Sequence, residues 1–354
     1  MRRLDANQAR ELCRTVFAEL GLPDDQTEAC TNAIMFATLR GLDSHGVVSI
    51  LPGIANRIAR GEIDRQASVE VIRDDAATAL LKGNGVAGPA VGERAMKLAI
   101  AKAREYGLGT VVSFNCDHFG AASYYSSLAV RDGLIGITMC NAGPAVAPYG
   151  GRKAVHGTNP ISYGVPGGVE GPIILDIATS AAAHGQIFKA HRRGQSIPMG
   201  WALDADGRPT TDAAAALKGA LLPFGGHKGY GMGILVDVLT GALAGSTVAL
   251  SVVHTGDPKV RGQSFFMQAI DVERFVPKQV FQNRMDQIVR DVRSTPPAEG
   301  FGEVLLPGDL ERRQEEERAL LGIPLYDEDW QAMVEGLKRA GIRPELIEQY
   351  APTT

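Results

Sequence analysis

Between Ser68 and Ile270 the apolar residues leave helical spacing and gather into short runs separated by helical stretches, the pattern of an α/β sheet layer. Val69–Val71, Ala79–Leu81, Thr110–Phe114, Ile135–Cys140, Ile161–Val165, Ile173–Leu175 and Phe265–Ile270 read as strands. Glu93–Tyr106 and Ala121–Arg131 read as helices between them. Before this layer, residues 5–60 read as three helices with breaks at Gly21-Leu22-Pro23 and Gly41 and a stop at Gly61. After it the chain returns to helix at Lys278–Arg293, Leu310–Leu321 and Trp330–Arg339. The 354 residues are long for one core, so the division expected is 1–66, 67–275 and 276–354.

Composition removes several functions. A net charge of -4 supplies no basic field for nucleic acid. Cys13, Cys30, Cys116 and Cys140 are scattered without a CxxC pair and read as reduced thiols, which with the polar N-terminus places the chain in the cytoplasm. The most apolar helix candidate, Gly231–Gly245, is too short for a bilayer and contains Asp237, so no membrane contact is expected.

Arg40-Gly41-Leu42-Asp43-Ser44-His45-Gly46 sets a hydroxyl beside an imidazole where an amphipathic helix begins. Histidine titrates near neutral pH and can exchange a proton with an alcohol or a carbonyl oxygen, with Ser44 orienting His45. A plainer reading has Ser44 capping the helix that carries Val47, Ile50, Leu51, Ile54 and Ile58. Gly83-Asn84-Gly85-Val86-Ala87-Gly88 matches GxGxxG, but the next strand ends too late to place an acid on a ribose, and a flexible turn is the reading preferred. In Gly225-Gly226-His227-Lys228-Gly229-Tyr230-Gly231 the glycines let backbone amides approach an anion and Lys228 adds charge at a helix start, the makings of a phosphate site. A glycine-rich helix entry with Lys228 in solvent is the alternative. No histidine pair has the HxH or HxxxH spacing of a metal site, so no metal is expected.

Read together, the Ser44-His45 segment, Asp117-His118-Phe119-Gly120-Ala121-Ala122, His156-Gly157-Thr158-Asn159-Pro160, Asp176-Ile177-Ala178-Thr179-Ser180 and the Gly225–Gly231 loop resemble the malate/L-lactate dehydrogenase family. That family is distinct from the Rossmann-type lactate and malate enzymes and includes ureidoglycolate, sulfolactate and diketogulonate enzymes and cyclic imino-acid reductases. The resemblance implies a non-Rossmann mixed-sheet domain binding NAD or NADP, a helical domain made of both chain ends, a small carboxylate substrate and a homodimer. It implies His45 as the group that protonates the substrate oxygen, with Ser44 completing the relay. Thr158, His184 and Gly185 would meet substrate. His118, Phe119, Gly120, Ala121 and Ala122, then Asp176, Ile177 and Ala178, then His227 and Lys228, and Gly308 in the Pro307-Gly308-Asp309 turn, would hold the dinucleotide.

Two departures bear on substrate. Relatives often carry arginine four residues after the histidine, where this chain has Ser49, so Arg57, Arg152 or Arg192 replaces it or the substrate differs. Gln186 stands where imino-acid reductases show aspartate and hydroxy-acid enzymes show lysine. The expected reaction interconverts a 2-hydroxy acid and its 2-oxo acid, with reduction of a cyclic imine-2-carboxylate as the alternative. From another class, a phosphate-binding transferase or metal hydrolase could use the glycine-rich loop and the histidines.

Overall fold

The computed structural model describes residues 2–252 and 261–351. The chain opens with β1 (Arg2–Leu4), α1 (Ala6–Glu19), α2 (Asp24–Leu39) and α3 (Val47–Ala59). The sheet layer follows as β2 (Glu70–Asp75), β3 (Thr78–Lys82), α4 (Gly88–Tyr106), β4 (Leu108–Cys116), α5 (Ala122–Arg131), β5 (Ile135–Cys140), β6 (Ile161–Val165) and β7 (Ile173–Ile177). Next come α6 (His184–Arg192), β8 (Ala202–Leu203), β9 (Pro209–Thr210), α7 (Ala213–Ala216), β10 (Ala220–Leu221), α8 (His227–Asp237) and β11 (Gln263–Ile270). The chain closes with α9 (Lys278–Arg293), α10 (Asp309–Leu321), β12 (Ile323–Leu325), α11 (Asp327–Arg339) and α12 (Pro344–Glu348).

Seven strands form the main sheet in the order β2-β3-β4-β11-β5-β6-β7. Only β3 and β4 run parallel; every other neighbouring pair is antiparallel. This mixed sheet lacks the run of parallel crossovers that defines a Rossmann fold. Strand β11 shows why both faces are covered: Phe265 and Met267 point into the core beneath α4 and α5, whereas Phe266 points to the opposite face with Val112, Met139, Ile161 and Val236 of α8.

The chain ends meet in a two-stranded sheet pairing Leu4 with Ile323. Around it α1, α2, α3 and α11 bury Leu12, Phe17, Ile34, Leu51 and Leu337 in a second core. Helix α9 goes elsewhere: Met285 and Val289 share a cluster with Ile173 and Leu306, so it lies on the β6–β7 edge of the sheet. The boundary expected at 276 therefore falls ahead of a helix that packs on the sheet, and only the later helices join the N-terminal ones. A third unit, formed by β8, β9, β10, α6 and α7, encloses Val146, Ile187, Ile197, Ala202 and Leu221. The helix expected over Gly231–Gly245 starts earlier, at His227, and widens into a π-helical turn over Val238–Ala242. No helix among the described residues is long and apolar enough to cross a membrane.

Candidate active site

The Ser44-His45 pair sits in a 3-10 turn between α2 and α3. Gly41, at φ 76°, ends α2, and Arg318 of α10 fixes the turn from outside by donating to Asp43 at 2.7 Å and to the Thr38 carbonyl. Helix α3 takes its cap from Thr38, whose Oγ1 accepts from the Val47 N–H at 2.8 Å. Ser44 is thus not the cap, and its hydroxyl lies 2.9 Å from His45 Nδ1. Burial holds the His45 imidazole below its ordinary pKa, because the charged ring loses hydration there.

Against His45 lies His118, the rings stacked with centroids 5.4 Å apart and planes 16° from parallel. His118 follows β4, and its segment is anchored by buried Asp117, which pairs with Arg57 and accepts from the His118 N–H at 2.8 Å. The Gly120 N–H donates to His118 Nδ1 at 3.2 Å. The resemblance counts His118 among the residues that would hold the dinucleotide, and its partnership with His45 has no local signal because the two imidazoles lie far apart in the chain. Gly185 completes the corner, since a Cβ there would stand 3.9 Å from Ser44 Cβ; Gly185 and His184, at the start of α6, are both exposed.

The remaining predicted residues form a connected strip beside this corner. Helix α5 begins just after Phe119, Gly120 and Ala121, and its Ser123 donates from the backbone at 2.8 Å and the hydroxyl at 2.7 Å to Asp176 at the end of β7. Burial raises the Asp176 carboxyl, and those two bonds oppose the rise. Thr179, a residue of the Asp176–Ser180 motif with no role expected from the sequence, ties three loops together. Its N–H and hydroxyl donate to the Thr158 carbonyl at 2.8 and 3.0 Å, and its own carbonyl accepts from the Phe224 N–H at 3.0 Å. Thr158 and the Gly225–Gly231 loop are thereby fixed to the end of β7. His227 and Lys228 open α8, both exposed, with the Tyr149 ring edge-on to His227 at 5.9 Å. Gly308, at φ 94°, packs on β7, where a Cβ would come within 2.9 Å of the Ile174 carbonyl.

A buried pair reinforces the strip: His156 Nδ1 lies 2.9 Å from Asp237 Oδ2, joining the loop of Thr158 to α8. The GxGxxG match forms a turn at Asn84-Gly85, and the glycines that flank it are packed against backbone. A Cβ on Gly83 would fall 2.7 Å from the Asn115 carbonyl, and one on Gly88 would fall 2.3 Å from that of His118. The loop is pressed onto the segment that carries His118.

The arrangement offers a proton relay at one corner and, along the strip, open backbone and a cation at helix starts. Gly120 has nothing within 4 Å of where its Cβ would be, and Lys228 has no side-chain partner among the described residues. These features fit a phosphate-bearing dinucleotide.

Comparison with known proteins agrees with that fit. The family model described as malate/L-lactate dehydrogenase matches residues 4–334. The chain is 37% identical over 338 residues to L-sulfolactate dehydrogenase of Methanothermobacter thermautotrophicus, covering 95% of this chain and 96% of that one. It is 36% identical to malate dehydrogenase of Pyrococcus horikoshii, covering 92% of each. The solved sulfolactate dehydrogenase of Methanocaldococcus jannaschii superposes with a TM-score of 0.89 at 35% identity, over 97% of this chain and 98% of that one. With motifs, sheet order and full-length similarity in agreement, the chain belongs to the malate/L-lactate dehydrogenase family of oxidoreductases.

Proposed function

We propose that the chain is an NAD- or NADP-dependent oxidoreductase that interconverts a small 2-hydroxy acid and its 2-oxo acid, with His45 exchanging the proton at the substrate oxygen. The observation that carries this reading is the Ser44–His45–His118 corner standing beside the Asp176–Thr158–Lys228 strip. A nicotinamide dinucleotide, when bound, supplies hydride exchange at the substrate carbon. The chain's own part is the rest. The backbone amides of Ala121, Gly225 and His227, with the Lys228 ammonium, would hold phosphates; Thr158 would position substrate; Ser44 would set the His45 ring; and His118, stacked on it, would keep water from that face.

His45→Ala tests the reading. General acid-base groups contribute roughly 10²- to 10⁴-fold in rate, so kcat falls by that factor with nucleotide Kd unchanged. A loss below about tenfold makes His45 structural. The pH profile gives a second reading, with a definite sign. Reduction needs the protonated ring and oxidation the neutral one, and burial lowers the His45 pKa. Hence kcat/KM for reduction falls as pH rises through a midpoint below histidine's usual value of about 6.5, and that for oxidation rises through the same midpoint. A reductive profile flat from pH 5 to 8 removes His45 as the donor.

Substrate choice and cofactor choice are read from a panel of 2-oxo acids and cyclic imine-2-carboxylates with NADH and NADPH. Activity confined to the imines would move the chain to the imino-acid branch, for which Gln186 is the residue to vary first. The homodimer reading is supported by exposed Ile234, Leu235 and Val238 on one side of α8 and the turn after it, an apolar stripe that a second copy would cover. Four free, buried cysteines support a reducing cytoplasm.

A further inference from the structure

We propose that Lys189 of α6 is the cation that holds the substrate carboxylate, a proposal that rests on the 2-hydroxy acid reading above. Helix α6 is fixed in rotation by its apolar side, where Ile187 is buried and Ala190 packs beside it against Val146, Ile197 and Ala202. At 100° per residue the opposite side carries Gly185, Lys189 and Arg192, at i, i+4 and i+7. Gly185 is the member of that stripe that touches the corner, 3.9 Å from Ser44 Cβ if it carried a Cβ of its own. The stripe therefore starts at the Ser44–His45 pair and continues as positive charge.

Direction favours Lys189 over Arg192. Side chains on a helix lean toward its N-terminus, so the Lys189 stem runs back over Gly185 toward Ser44. Arg192 begins almost two turns beyond Gly185, about 10 Å along the axis. No acidic residue lies between His184 and Leu203, and Lys189 is exposed with no side-chain partner among the described residues.

The other candidates are less well placed. Arg57 is paired with Asp117, whose side chain is only 2% exposed, and drawing it away would strand a buried carboxylate. Arg152 lies against the β8–β9 turn, where a Cβ on Gly207 would come within 2.4 Å of its own Cβ. Ser49 is uncharged, and its hydroxyl donates to the Asp43 carbonyl at 3.2 Å. An ammonium on a flexible stem suits a site of this kind, because it meets a carboxylate as a point charge and does not demand the planar geometry of a guanidinium.

The test measures KM and kcat for pyruvate and oxaloacetate, with nucleotide Kd, in wild type, Lys189→Met, Lys189→Arg and Arg192→Met. A charge-assisted bond corresponds to a loss of roughly tenfold to hundredfold. The expected result is a KM raised by that factor in Lys189→Met, kcat changed less than KM, nucleotide Kd within twofold, most of the loss restored in Lys189→Arg, and Arg192→Met close to wild type. The arginine variant separates charge from shape, since a helix disturbed by losing lysine would not recover with a bulkier cation. An unchanged KM in Lys189→Met, or a larger loss in Arg192→Met, overturns the assignment. Failure of the wild-type protein to turn over any 2-oxo acid with either nucleotide is a different result, and it removes the functional reading together with this proposal.

Discussion

Two glycine-rich segments flank the candidate site, and they use glycine for opposite reasons. In Gly83–Gly88 the missing side chains make room for backbone: Cβ atoms at Gly83 and Gly88 would sit 2.7 and 2.3 Å from the carbonyls of Asn115 and His118. In Gly225–Gly231 most of the room is on the outside. Gly225 would meet only the Lys228 stem at 3.8 Å, and Gly231 would meet nothing within 4 Å. Gly229 alone in this second segment is closed in by backbone, at 2.4 Å from the Phe224 carbonyl, where the loop folds onto its own start. Pattern matching ranks the first segment as the nucleotide loop because it spells GxGxxG. Space reverses the ranking, since a loop that holds an anion must present its amides to something other than protein.

The largest effect expected from breaking this contrast is at Gly88. Gly88→Ala puts a methyl into the carbonyls of Asp117 and His118, neither of which is the movable end of a side chain. Overpacking of this kind costs about 1–3 kcal/mol, occasionally more, and contact with rigid backbone places this case at the top of that range. The displaced segment carries the ring stacked on His45, so turnover falls along with the denaturation midpoint. Wild-type stability with lost nucleotide binding would mean that Gly88 faces the ligand after all.

How much of this was legible depends on how local the cause was. Strand β6 and helix α9 have the bounds their periodicity predicts, because period 2 and period 3.6 are set by the residues themselves. The two-residue strands β8, β9 and β10 were not readable: they exist because the cluster around Val146 and Ile187 brings them together. The pairing of Leu4 with Ile323 lies beyond any local signal for the same reason. At the site, Ser44 and His45 were legible as neighbours in sequence. That Thr38, and not Ser44, caps α3 was not, since nine residues separate donor from acceptor across a turn. Thr179 stood inside a recognised motif, yet its bonds to Thr158 and Phe224 depend on where the sheet ends.

Lys228 sharpens the contrast from the other side, with a smaller effect on the molecule as a whole. Lys228→Met keeps the stem and removes the charge. A charge-assisted bond to phosphate corresponds to roughly a tenfold to hundredfold loss in nucleotide Kd, while the exposed position leaves the denaturation midpoint unchanged. Isothermal titration with NADH and with NADPH reads this directly. Unchanged affinity for both would return the second segment to a helix entry with its lysine in solvent.

The most diagnostic effect is expected at Gly225. Its φ of 54° lies in the left-handed region, so Gly225→Ala carries a backbone cost of about 1–2 kcal/mol even though no atom is struck. Asparagine adopts that region more readily, so Gly225→Asn removes much of the backbone term and still adds a side chain. If Gly225 is glycine only for its φ, the asparagine variant binds nucleotide like wild type. If it is glycine so that backbone can approach a phosphate, both variants lose affinity although asparagine restores stability. The second outcome is the one expected, and it cannot arise from strain alone, because strain would rank the two variants in the same order for folding and for binding.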